Sequence, residues 1–210
     1  MAILTLPDAL RGLINSQTWS QLPYQAQLAN PITGASMGRV LGPARWATVL
    51  STHQAFRLQD VAALDALRME LDGSVNQLAL YDVKHQQPRG TLRGTLTLNA
   101  AAAQGATSIA VTGGAGEAGK TLLRGDRIGI GSGSQRQVVM VMQDAVADGS
   151  GVIALSILPA ARWAYAGGAS VAWYRPTALF RQVPGDVALS TRLPGLDEGG
   201  QINLIESWDA

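Results

Sequence analysis

The sequence predicts an all-β chain with a single short helix. Three observations carry this. Short apolar runs alternate with glycine-bearing turns across residues 90–176. Apolar and polar residues alternate strictly through Thr91-Leu92-Arg93-Gly94-Thr95-Leu96-Thr97-Leu98. Only one segment has helical spacing.

That helix is Asp60–Leu71. Asp60 is placed to cap its N-terminus by accepting bonds from orphan amides. Val61, Leu64, Leu67 and Leu71 share one face. Asp72-Gly73 stops it, since glycine reaches the left-handed region without a Cβ clash. A helix this short needs a packing partner, and the flanking runs 46–52, 55–58 and 76–83 read as strands.

In the middle of the chain, strands are expected near Thr91–Leu98, Thr107–Val111, Arg127–Ile130, Arg136–Met142, Val152–Leu158 and Ala169–Trp173. Ala100–Ala103 reads as a brief helical turn ended by Gly105, and Asp148-Gly149 as a hairpin turn. The last segment returns to the texture of the first: strands at Thr177–Val183, Asp186–Ser190 and Gln201–Trp208, with a turn at Pro184-Gly185. The expected architecture is a β-sandwich built from residues 1–89 plus 177–210, with a small β-barrel-like domain, residues 90–176, inserted into it.

Composition narrows the function. The chain has 210 residues, 47% hydrophobic, and 15% charged against roughly 25% in a typical soluble domain. Sixteen basic and 15 acidic residues leave a net charge of +1, which argues against an electrostatic nucleic-acid binder or a polybasic membrane patch. With no cysteine there is no disulfide framework, thiolate nucleophile or thiolate-held metal. The start lacks the pattern of a signal peptide, and no charge-free apolar run is long enough to predict a membrane anchor. A surface so poor in charge is a solubility hazard for a lone monomer, so coverage by other subunits is expected.

Gly114-Ala115-Gly116-Glu117-Ala118-Gly119-Lys120-Thr121 matches the phosphate-loop pattern. Such a loop must open a helix whose N-terminus faces the phosphates. Here only four residues precede Gly125-Asp126, and a strand follows, so an ordinary loop is expected. Arg124-Gly125-Asp126 reads as a turn. His53 and His85 have no partner at metal-ligand spacing. No nucleophile elbow or paired carboxylate stands out, so no catalytic residue, metal or cofactor is expected and the chain is not read as an enzyme. The aromatic group Trp163, Tyr165, Trp173 and Tyr174 has two readings, a stacking platform for sugars or bases, or the closing hairpin of the barrel with aromatics at its rim or at a subunit contact.

The order of features is more telling than any motif. Trp19 precedes a stretch with Pro23, Pro31 and Pro43; Arg45-Trp46-Ala47-Thr48-Val49, the helix and Tyr81-Asp82 follow. The insert carries the runs at 121–131 and 151–162 and is followed by Ala178-Leu179-Phe180-Arg181. Over about residues 17–183 this resembles the distal tail proteins of long-tailed bacteriophages. The resemblance implies a homohexameric ring at the virion tail tip, assembled in the host cytoplasm. That ring joins the tail-tube protein to the hub or baseplate, and DNA crosses it without specific binding. It makes Trp19, Trp46, Leu64, Leu67 and Leu71 candidate core or ring contacts. It makes Trp163, Tyr165, Trp173 and Tyr174 candidate contacts of a peripheral domain with tail fibres or host glycans. The alternative function is a carbohydrate-binding or receptor-contacting β module.

Overall fold

A computed structural model describes residues 1–29, 33–34, 36–53, 58–184, 190–193 and 196–208. The first part of the chain supplies β1 (Ile3–Thr5), α1 (Asp8–Arg11), β2 (Ile14–Ala29), β3 (Ser36–Thr52), α2 (Leu58–Leu71) and β4 (Gln77–Leu80). The middle supplies β5 (Leu96–Leu98), β6 (Ser108–Thr112), β7 (Thr121–Leu122), β8 (Arg127–Ile130), β9 (Gln137–Val141), β10 (Ala145–Val146), β11 (Val152–Leu158) and β12 (Ser170–Ala172). The end supplies β13 (Ala178–Gln182), β14 (Ser190–Leu193) and β15 (Leu196–Glu206). The chain is mainly β, as its alternation and turn residues predict.

Strands from both chain ends interleave in one seven-stranded sheet, ordered β1-β4-β13-β15-β3-β2, with β14 added to β15. The register places Leu78 and Leu80, Phe180, Ile202 and Leu204, and Thr48 and Leu50 on one face. Against this face pack Leu64, Leu67 and Leu71 of α2, Leu10 and Leu13 at α1, and Val138 of β9. Each fully buried leucine contributes about 1.5–3 kcal/mol. Among the described residues two helices and β9 of the barrel thus pack on this face of the sheet.

The insert closes into a six-stranded barrel, β11-β6-β5-β12-β8-β9, with β9 returning to β11. Its core includes Leu98, Val111, Ile128, Ile153 and Ile157. Strand β11 falls on its expected range. Strand β5 is shorter than expected, because Gly94 has φ 89° and the amides of Leu92 and Arg93 turn to Thr121 O and the Glu117 carboxylate. Ala100–Ala103 is not helical, since Ala102 exchanges backbone bonds with Tyr165.

Helix α2 starts two residues before the expected cap. Asp60 therefore sits inside the first turn, where its charge complements the helix dipole. The helix stops where Asp72 (φ 45°) and Gly73 (φ 63°) both turn left-handed. Leu64, Leu67 and Leu71 are buried as their spacing predicts. The expected strands at 55–58 and 186–190 fall largely outside the described residues, as do Pro31, Gly185 and the side chain of Val61. Leu58 belongs to α2.

Candidate assembly surface

Strands β2 and β3 pair along their whole length, from Ile14 opposite Thr52 to Ala29 opposite Ser36. Strand β15 pairs with β3 only over Ala47–Ser51. The part of the hairpin beyond Leu22 and Arg45 thus leaves the sheet as a two-stranded arm, roughly 25 Å long at about 3.3 Å per residue. Sequence reasoning missed it because Pro23 and Pro43 argue against a central strand. Both sit at one irregularity, where the register shifts between Leu22 and Tyr24 and neither proline has a ladder partner.

The arm concentrates exposed apolar surface. Leu22, Tyr24, Leu28, Met37, Val40 and Leu41 are all exposed, with Leu28, Met37 and Val40 at 75–77%. Period-two alternation puts Leu22, Tyr24 and Leu28 on one side of β2, and the register sets Met37 beside Leu28. Strand β2 is the terminal strand of the sheet, and none of its sixteen residues is charged. Soluble proteins normally guard such edges with charge.

At the root of the arm the two domains lock together. Arg127 of β8 reaches out of the barrel to the buried carboxylate of Asp82, with its guanidinium 5.4 Å from the Trp19 ring and 5.2 Å from the Trp46 ring. Burial lowers the pKa of Arg127, and the Asp82 charge opposes that shift. Asp82 also meets His85 Nδ1 at 2.8 Å, so this histidine, expected to lack an acidic partner, has one three residues before it in the chain. The Trp46 indole N–H donates to Val138 O at 2.8 Å. Its backbone N–H donates to Glu206, which also faces Arg162 at 3.4 Å. Burial pushes the Glu206 carboxyl up, against the opposing pull of Arg162.

Trp46 is thus a core residue and the partly buried Trp19 packs against that core, with the two rings 6.0 Å apart and Trp19 edge-on to Phe180 at 5.0 Å. The four peripheral candidates separate into two pairs. Trp163 stands edge-on to Tyr165 at 6.4 Å, and Trp173 is tilted against Tyr174 at 5.8 Å. Among the described residues no ring contact links the pairs. Tyr165 must be moved from surface to core: it is 4% exposed, its hydroxyl donates to Gln135 O, and burial raises its pKa. The Trp173 indole donates to Gly94 O, and Arg93 lies over its ring at 4.9 Å. Trp163 lines an open cleft of about 440 Å³ with Trp208, Gln104 and Arg162.

The phosphate-loop look-alike holds no helix. Ala115–Glu117 forms one short 3-10 turn, and Thr121 enters β7. Lys120 Nζ bonds Glu117 Oε1 at 2.8 Å, inside the motif itself. Desolvation would raise the Glu117 pKa, yet the bonds from Lys120 and the Arg93 amide prevail and lower it. Asp126 of the Arg-Gly-Asp turn is buried and accepts the amides of Arg89, Gly90 and Leu123. No group of metal-ligating residues forms among the described residues. No protein-family model and no curated protein matches this chain.

Proposed function

We propose that this chain is a structural virion protein whose six copies form a ring between the tail tube and the tail-tip hub. The arm carries the reading. A two-stranded ribbon is marginal in water, and this one is apolar and unguarded by charge along β2. Such a segment is suited to permanent burial in an assembly. The sparse charge of the whole chain and the ordered resemblance to distal tail proteins support the same conclusion. A cyclic ring uses two different faces of each copy, and a nearly neutral chain lets DNA pass without retaining it. A particle map tests the proposal: six copies between tube and hub are expected, and their absence there rejects it.

The cleft beside Trp163 favours a second reading, a glycan-contacting module. Trp163 lines it beside Gln104, while the Trp208 ring is stacked by Arg45 and Arg162. Glycan-array binding that disappears in Trp163→Ala is the expected result on that reading. An array without signal removes it.

A further inference from the structure

The arm has two free edges. Strand β2 has no neighbour beyond β3, and residues 36–45 of β3 have no neighbour opposite β2 among the described residues. The two strands run antiparallel. Repeating the hairpin around an axis along its length therefore brings β2 of one copy beside β3 of the next, again antiparallel. We infer that the arms of neighbouring copies pair edge to edge in this way, β2 to β3, into one continuous sheet. The inference deepens the ring reading and rests on it for the arrangement of copies around an axis.

The occupant is a second copy because one arm supplies both halves of the contact. Each copy adds two strands, and only closure on identical copies leaves no edge unpaired. The chemistry of the surface agrees. Main-chain bonds supply affinity along an edge, and alternate side chains supply the fit. Beyond the arm's root at Leu22 and Arg45, the described residues carry one charge, Arg39, so like charges do not oppose pairing. Leu28 and Met37 lie side by side near the tip, ready to continue an apolar row across the joint.

The absence of cysteine makes the test direct. Two sets of full-length single-cysteine variants are prepared, one on β2 (Gln21→Cys, Gln25→Cys, Ala26→Cys) and one on β3 (Gly38→Cys, Arg39→Cys, Leu41→Cys). Each β2 variant is mixed with each β3 variant and oxidised at concentrations up to millimolar. A disulfide in a mixture necessarily joins two chains. The expected result is disulfide-linked dimers in a subset of mixtures that fits one antiparallel register, with none for a variant oxidised alone. Unchanged melting temperatures confirm that the substitutions leave the fold intact. No heterotypic dimer in any mixture overturns the inference, and equal linking in every mixture overturns it as random collision. Light scattering separates the two claims. Hexamers without the register-specific disulfides leave the ring reading standing and remove the edge pairing. Register-specific disulfides with no six-copy ring in the particle map do the reverse.

Discussion

Arg127, carried by the barrel, forms a buried ion pair with Asp82, which follows β4 of the sheet. The two side chains are 7% and 6% exposed, and Trp19 and Trp46 lie against the guanidinium. Asp82 lies in the stretch that leads from β4 of the sheet to β5 of the barrel. A second lock, Arg162 with Glu206, lies close to Trp46. The inserted barrel is thus docked through charged groups desolvated by aromatic rings, and its strand β9 shares a core with the sheet.

Removing one partner of such a pair leaves the other charge buried and unpaired. Arg127→Ala is expected to destabilise the chain by about 3–5 kcal/mol. Arg127→Met with Asp82→Leu, which removes both charges, is expected to cost less than the single change. Urea unfolding of the three proteins checks this. A double variant that loses as much as Arg127→Ala or more would show that the pair itself, rather than an orphaned charge, holds the junction.

The buried face of α2 is testable by contrast. Leu67→Ala removes a side chain 2% exposed in the core shared with Leu78 and Phe180 and is expected to cost about 2–5 kcal/mol. Met69→Ala, two residues on and 80% exposed, is expected to stay within about 0.5 kcal/mol of the parent. Similar losses at both positions would contradict the assigned helix face.

The glycine-rich loop is expected to bind no nucleotide. Titration calorimetry with ATP and magnesium should show no heat of binding, because Lys120 is engaged by Glu117 and no helix N-terminus follows. Lys120→Ala breaks a half-exposed pair and is expected to cost at most about 1 kcal/mol. Glu117→Ala is expected to cost about 1–3 kcal/mol, since the Arg93 amide then loses its acceptor. Saturable ATP binding abolished by Lys120→Ala would overturn this.

The all-β class, helix α2 and its stop, and most barrel strands were legible because each follows from local periodicity and turn chemistry. Leu64, Leu67 and Leu71 announce a face, and Val152–Leu158 a strand. The arm was not legible, because what tolerates Pro23 and Pro43 is a register shift across two strands, a non-local property. The Arg127–Asp82 pair joins residues 45 positions apart, and their residue types alone are those of any solvated surface. Tyr165 misled for the opposite reason. A tyrosine in an aromatic-rich run has the composition of a binding surface, and only the Ala102 bridge and the Gln135 carbonyl reveal it as core. The phosphate-loop match failed on context already visible in the sequence, the missing helix. The Lys120–Glu117 bond adds a reason that spacing alone does not supply.

Glu206 is expected to leave a signature in the pH dependence of stability. Its carboxyl is 2% exposed, and burial raises its pKa above the ordinary carboxylate value despite Arg162 and the Trp46 amide. In the unfolded chain the same group titrates near about 4.3. Between that value and the raised folded one, the native state holds more protons than the unfolded state. Stability then falls as pH rises through this window. Below the unfolded value both states are protonated and this group contributes no slope. Glu206→Gln keeps a polar acceptor for the Trp46 amide but cannot ionise. It is therefore expected to lack this part of the slope, so that its melting temperature gains on the parent's as pH rises from about 4. Arg162 stays charged in both proteins, so losing its ionised partner adds an offset that does not depend on pH in the variant. Thermal melts of the two proteins across the acidic and neutral range read the difference directly. Parallel curves would mean that Glu206 is no harder to ionise in the fold than in the unfolded chain.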